Sequence, residues 1–267
     1  MNIQQFYLLC TYLLAGVVGL CVGSFLNVVI YRLPNGMNLS RPASHCPKCN
    51  YTLKWYDNVP LLSYLFLGGR CRNCRTKISP RYVLVELGNA LLWLLSVYLF
   101  VNQSILYMAA AMVASSALIC VFFIDLKHML IFNRFHIILA LCGVMAMFSD
   151  RLTLWYDHLI GAAVGGAIFA AIYYLSIAIL KKEGLGFGDV KYAAAAGLLL
   201  GWQKLVLAML IASVVGSIFM ITANRIQNAE KHTEYPFGPF LALGTAFTLF
   251  FGNAVIHWYV EFLFQLT

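Results

Sequence analysis

Four cysteines stand in two pairs, Cys46-Pro47-Lys48-Cys49 and Cys71-Arg72-Asn73-Cys74, with 21 residues between the pairs. One CxxC turn offers two thiolates to an ion, and two such turns complete a tetrahedral sulfur sphere of the kind that holds zinc. Basic neighbours at Lys48, Arg72 and Arg75 favour thiolate over thiol. Four sulfur ligands leave no place for a reactive water, so a zinc held by Cys46, Cys49, Cys71 and Cys74 is expected to be structural. His45 is not needed as a fifth ligand and reads as a surface residue. The remaining cysteines, Cys10, Cys21, Cys120 and Cys142, lie singly in apolar runs and read as small buried hydrophobes.

A second chemistry is carried by two aspartates. Asp125 closes Phe122-Phe123-Ile124, and Asp189 follows Gly186-Phe187-Gly188. Ionisable side chains beside long apolar runs are costly at membrane depth and are functional candidates for that reason. Two carboxylates that share one proton can divide a hydrolysis between them, one acting as base toward water while the other donates to a carbonyl. Read singly, each aspartate is an interfacial charge or a helix cap; the pair carries the chemical reading. Glycines at 186 and 188 remove side chains beside Asp189 and allow unusual backbone angles, which suits an extended substrate.

The elements that must position these residues are set by composition. Of 267 residues, 62% are hydrophobic and 10% charged, and mean hydropathy is +0.81, against about half apolar and a quarter charged in soluble domains. An ordinary cytosolic enzyme is excluded. Long unbroken apolar runs, rather than short alternating segments, exclude a β-barrel. The expected fold is an all-α polytopic membrane protein of about eight transmembrane helices, near 6–30, 83–101, 104–124, 129–148, 157–180, 190–200, 205–223 and 237–262. The run from Phe6 to Ile30 exceeds a signal-peptide core and is expected to remain as a span. The weakest span is 190–200, short and rich in alanine and glycine. No fixed-period repeat is visible.

Charge position orients the chain. Sixteen of the 18 Lys and Arg fall in 31–82, 125–134, 181–191 and 224–236, leaving only Arg151 and Lys204 on the other side. By the positive-inside rule both termini are expected outside and the 32–82 insert in the cytoplasm. The net charge of +8 is therefore a matter of topology and implies no nucleic-acid partner. A reducing cytosol also disfavours the rival reading of the four cysteines as disulfides, and no βαβ pattern surrounds either pair to suggest a redox motif.

With these placed, the chain resembles the type IV prepilin peptidases, bifunctional leader peptidases and N-methyltransferases of pilus and type II secretion systems. The resemblance runs through Gly23-Ser24-Phe25-Leu26-Asn27 to Tyr31-Arg32-Leu33-Pro34, the paired CxxC turns, Asp57-Asn58-Val59-Pro60, and Ile78-Ser79-Pro80-Arg81-Tyr82 to Glu86. It continues through Asp125, Glu183 to Lys191, and Tyr235-Pro236-Phe237-Gly238-Pro239-Phe240. It departs where members often carry an acidic residue two beyond the first aspartate and a proline seven beyond it, since Lys127 and Phe132 stand there. The fourth helix is therefore expected to start differently, with Lys127 snorkelling toward lipid headgroups.

The resemblance implies that Asp125 and Asp189 are the catalytic aspartates of an intramembrane aspartic protease in the bacterial inner membrane. It implies three parts: a first transmembrane helix over 1–31, a cytoplasmic zinc-binding domain over 32–82 and a transmembrane protease domain over 83–267. The implied substrates are prepilins or pseudopilins, with a short basic leader that usually ends in glycine joined to an apolar helix. The implied second reaction is methylation of the new amino terminus with S-adenosylmethionine as donor, although no glycine-rich Rossmann motif is present. The insert, with nine Lys and Arg against one acidic residue, Asp57, should attract anionic lipid and repel a basic leader. Leader recognition then falls to Asp57, Glu86, Glu183 or the aspartate pair. A proton- or cation-coupled transporter using Asp125 and Asp189 is the alternative, and its expected mark, inverted repeats, is missing. A zinc-bearing scaffold without chemistry is a further alternative. His128 and His136 are expected at the inner interface, His158 and His257 at the outer.

Overall fold

The computed structural model describes residues 2–181, 184–227 and 235–266. Among the described residues eight helices of 14 residues or more follow one another: α1 (Ile3–Arg32), α3 (Arg81–Phe100), α4 (Ile105–His128), α5 (Asn133–Ser149), α6 (Trp155–Leu180), α7 (Phe187–Leu200), α8 (Trp202–Gln227) and α9 (Gly238–Leu266). Between α1 and α3 lie only a 3-10 turn, Trp55–Asn58, and the short helix α2 (Leu62–Phe66). Among the described residues six helices, α1, α3, α4, α6, α8 and α9, are long and apolar enough to cross a membrane. The expected count of eight spans is thus reached in helices, while α5 and α7, at 17 and 14 residues, fall short of the ~20 a full crossing takes.

The chain divides into two units, residues 1–98 and 99–267. In the first, α1 meets α3 along a stripe of small residues. A Cβ on Gly19 would lie 2.9 Å from Ala90 Cα, and one on Gly23 2.7 Å from Glu86 Cα. Such closeness lets two helices pack where lipid supplies no hydrophobic drive. Asn89 donates to the Gly19 carbonyl at 2.7 Å, and Asn27, one turn beyond Gly23, donates to the Tyr82 carbonyl at 3.0 Å. At the end of α1 the buried Arg32 donates to the carbonyls of Asn38, Leu39 and Pro42. A charge placed there is satisfied by main chain alone, and it turns the chain into the insert.

In the second unit α7 is the central, shortest helix, and its small residues explain how. Gly161 and Gly165 of α6 face Gly197 and Ala193 of α7 so closely that side chains would overlap main chain, and Gly143 of α5 packs on Leu198 and Leu199 in the same way. Glycine loses about 1 kcal/mol against alanine inside a helix; here close packing offsets that cost. Tyr192 on α7 donates to Thr245 of α9 at 2.9 Å, and Gly244 of α9 packs against Ala208 of α8. At the far end from Asp189, Lys204 of α8 pairs with Asp150 after α5 at 3.2 Å, with the two side chains only 3% and 1% exposed.

The fourth helix begins at Asn133, four residues late, because Met129 is left-handed (φ 52°) and ends α4, while Phe132 takes the extended N-cap place. His136 and His158 are buried within the protein: among the described residues the first has no hydrogen-bond partner for either ring nitrogen, and the second bonds Leu198 O through Nδ1 at 2.8 Å. Of the four isolated cysteines, Cys120 and Cys142 are buried as expected, but Cys10 and Cys21 are exposed along α1. Lys127 is exposed.

Candidate active site and cysteine centre

The two cysteine pairs form one centre. Sγ of Cys46 lies 3.8 Å from that of Cys74, and Sγ of Cys49 lies 4.0 Å from that of Cys71. All four sulfur atoms fall within 4.8 Å of one another. Zn–S bonds of ~2.3 Å at tetrahedral angles set S···S edges at roughly 3.8 Å, whereas a disulfide needs about 2.0 Å. The donor set therefore fits a metal and not a pair of disulfides.

The two turns are copies of one loop that the sequence conceals. Asn50 N–H returns to Cys46 O at 2.9 Å, and Arg75 N–H to Cys71 O at 3.0 Å. Asn50 and Arg75, each one residue past a CxxC, are both left-handed, at φ 55° and 57°. Each loop is then closed by a single antiparallel bridge, His45 with Thr52 and Arg70 with Lys77. Apart from the cysteines the two copies share no side chains, so no repeat was legible. His45 turns its Nδ1 to Ala43 O at 3.1 Å, as a surface residue would.

Asp57 binds the copies together. It accepts from Arg72 Nε at 2.8 Å, Lys54 N–H at 3.2 Å and Tyr51 O–H at 3.3 Å. Burial opposes its charge, yet Arg72 and these donors outweigh it and hold the carboxyl below its usual range. Burial pushes the Cys46 thiol up, and hydrogen bonding with Thr76 brings that of Cys74 down to about 6. Asp57 is thereby committed to the insert, and Glu86 is buried and accepts Leu61 N–H at 2.8 Å. Neither is a free surface for a basic leader. Glu183, the third expected carboxylate, lies outside the described residues.

Asp125 and Asp189 are placed by helix ends. Asp125 lies in the last turn of α4 and is 5% exposed. Its carboxylate abuts Gly238, the first residue of α9. A Cβ at Gly238 would lie 2.8 Å from Asp125 Cγ, inside any permitted contact. Asp189 stands in the first turn of α7, where its N–H returns to Gly186 O at 3.0 Å and a carboxylate oxygen lies 3.4 Å from where a Gly186 side chain would begin. Each carboxylate thus meets the positive end of a helix, a setting that suits an anion.

One residue spans the interval. Ile131, between α4 and α5, lies with Cβ 3.7 Å and O 3.8 Å from where a Gly188 side chain would begin, and with Cδ1 3.0 Å from where a Gly238 side chain would begin. Lys191 of α7 donates to Asn133 of α5 at 3.1 Å and tightens the same corner.

The glycine reading changes with this geometry. Gly186 is an ordinary extended N-cap (φ −71°), and Gly188 is absent from the positive-φ residues. Unusual angles are not their role. The glycine that the site requires is Gly238, in a motif that the sequence displayed without assigning it a function. Ile131 carried no sequence signal, since an isoleucine after an apolar helix is unremarked.

A polytopic helical membrane protein, with a four-thiol module in one unit and two carboxylates gathered at helix ends in the other, is the class that this fold and site define. Residues 17–100 match the bacterial peptidase A24 N-terminal domain, and residues 112–221 the type IV leader peptidase family. A prepilin leader peptidase/N-methyltransferase of Pseudomonas aeruginosa is 36% identical over 280 residues, covering 96% of this chain and 94% of the relative. A type 4 prepilin-like proteins leader peptide-processing enzyme of Escherichia coli O78:H11 is 38% identical, covering 89% and 93%. A prepilin leader peptidase/N-methyltransferase of Burkholderia pseudomallei is 36% identical, covering 89% and 84%. No solved structure matches the chain significantly. The chain belongs to the type IV leader peptidase family.

Proposed function

We propose that this protein cleaves the leader from type IV prepilins or type II secretion pseudopilins and then methylates the new amino terminus. The membrane-embedded peptidase activity follows from family membership. The observation that supports the catalytic assignment is that Ile131 lies against both Gly188, the residue before Asp189, and Gly238, whose main chain abuts the Asp125 carboxylate.

In this reading the two aspartates share one proton. One takes a proton from water as its oxygen attacks the scissile carbonyl carbon, and the other donates to the carbonyl oxygen. Collapse of the tetrahedral species breaks the C–N bond, and a proton passes to the departing amine. The substrate's apolar helix enters laterally among the spans, presenting a leader that ends in glycine. We assign α5 and α7 as the remaining two of eight membrane segments, and the inner membrane as the location, with insert and aspartates toward the cytoplasm on the positive-inside count.

Cys46, Cys49, Cys71 and Cys74 would hold one structural zinc, which ties the two copied loops of the 32–82 domain, with 1–31 before it as first helix and 83–267 after it as protease domain. S-adenosylmethionine, when bound, supplies an electrophilic methyl group. Among the described residues the insert has only isolated bridges and no strand-to-helix glycine turn, so Rossmann-type donor binding does not fit; we place the donor at the insert and adjoining loops. The test is incubation of purified protein with a prepilin and S-adenosylmethionine, followed by mass spectrometry of the new amino terminus. Cleavage that survives both Asp125→Asn and Asp189→Asn would sink the catalytic assignment.

A further inference from the structure

Between the two cysteine loops the chain leaves large apolar side chains exposed. Trp55 is 81% exposed, and on α2 Leu62, Leu65 and Phe66 are 50%, 63% and 86% exposed. The three α2 residues stand at i, i+3 and i+4 and share one helix face, and no residue of α2 is buried. The 3-10 turn that carries Trp55 packs on α2. This surface is held at a defined level. Leu61 N–H, immediately before α2, donates to the buried Glu86 carboxylate at 2.8 Å, and Glu86 belongs to α3, which is long and apolar enough to cross a membrane. The 20 residues of α3 run about 30 Å, the thickness of the hydrocarbon core, and Glu86 lies about 8 Å along the axis from its start at Arg81. Interfacial helices sink their apolar faces about 5–10 Å into the boundary between headgroups and acyl chains. The bond to Glu86 brings α2 to that depth. Charge agrees with this placement: Lys54 and Arg70, to either side of the patch in sequence, are exposed, while Asp57, the only acid in 32–82, is buried against Arg72.

We propose that Trp55, Leu62, Leu65 and Phe66 form an interfacial anchor that lays the insert on the anionic leaflet of the membrane that α1 and α3 cross. Leu62, Leu65 and Phe66 leave water for the acyl chains, and the indole of Trp55, apolar with one N–H, suits the boundary itself. Lys54 and Arg70 meet lipid phosphates, and each cation near an anionic surface favours the docked state roughly fivefold. No exposed acid in 32–82 opposes it. Because α1 and α3 flank the insert in the chain, docking is intramolecular and needs no large contact area of its own. The rival occupant, the apolar helix of a substrate with a basic leader, matches the apolar side chains and not the cations. The anchor requires only that α1 and α3 span the membrane, so it goes beyond the peptidase reading and stands or falls separately from it.

The experiment places the full-length protein in nanodiscs of phosphatidylcholine alone or of phosphatidylcholine with phosphatidylglycerol. Tryptophan emission is read with acyl chains brominated or plain, and with acrylamide in the water. Subtracting the emission of Trp55→Phe isolates Trp55 from Trp93, Trp155, Trp202 and Trp258. In the anionic discs Trp55 is expected to lose most of its emission to brominated chains and to resist acrylamide, with several-fold weaker quenching by brominated chains in phosphatidylcholine alone. Emission quenched by acrylamide and untouched by brominated lipid overturns the proposal. Shielding from acrylamide that arises only when a prepilin is added also overturns it and gives the patch to the substrate. Equal quenching by brominated lipid in the two kinds of disc overturns it as well, since the cations would then play no part. If Trp55→Phe does not fold, Phe66→Trp supplies a second reporter, read as the emission it adds to the unaltered protein, and the same outcomes decide.

Discussion

Gly238 sets its main chain directly against the carboxylate of Asp125: a Cβ there would sit 2.8 Å from Asp125 Cγ. Gly238→Ala must therefore push the carboxylate or the start of α9. Displacement of a reacting group by about 1 Å costs on the order of 100-fold in rate. Cleavage is expected to fall by about that factor in kcat with little change in KM, while methylation of a pre-cleaved pilin persists. Equal loss of both activities would indicate misfolding rather than displacement.

Asp125→Asn and Asp189→Asn should each abolish cleavage, and because members of one catalytic unit act non-additively, the double variant should be scarcely worse. Asp189→Asn, once shown to be folded, should still transfer a labelled methyl group to pilin supplied already cleaved. Loss of that transfer would mean that the aspartates serve both reactions.

One zinc per chain is expected by metal analysis. A strong chelator, or Cys→Ser at all four positions, should open 32–82 to limited proteolysis, since the two copied loops share only single bridges and little apolar core. Unchanged protection would remove the metal from its structural role.

Asp57→Asn should weaken the insert's resistance to proteolysis at neutral pH by breaking the link to Arg72. The folded carboxyl lies below its unfolded value of 3.8, so its contribution is fully present above that value and is lost only as pH falls through the folded pKa. The difference between wild type and Asp57→Asn should accordingly stay level from pH 8 to pH 6. A difference that fades over that range would assign the stability to another group.

Lys204 and Asp150 offer a test away from the active site. Breaking a pair this buried strands one charge, at a cost of about 3–5 kcal/mol, while replacing both partners by apolar groups is often neutral. Lys204→Met should lower the unfolding midpoint in detergent, and adding Asp150→Leu should restore much of it. An additive double variant would show that the pair is not coupled.

Much of the chemistry was legible without coordinates. Each CxxC spacing brings two thiols to one turn, because a two-residue gap closes a turn whatever lies around it; the structure joins the two turns, with S···S edges near 3.8 Å that favour a metal over disulfides. Apolar run length is likewise local information, which is why all eight helices appear within a few residues of their expected ends, save where Met129 and Phe132 delay α5. That delay depends on backbone geometry between helices, for which Lys127 and Phe132 gave only a warning.

What the sequence by itself determined, then, is which residue types sit on which kind of element: thiols in a polar insert, carboxylates at helix ends, glycines in short motifs. Only the tertiary structure decided which of them meet. Gly186 and Gly188 looked like the conformational glycines, yet Gly238, 113 residues beyond Asp125 in the chain, is the one that close approach demands. Asp57 looked available to a ligand, yet Arg72 already holds it. The physical reason is common to both: hydrophobic periodicity and motif spacing are encoded within a few turns of chain. Contacts such as Asp125 with Gly238, or Ile131 with both glycines, arise from packing between helices distant in sequence, where small residues permit approach without naming the partner.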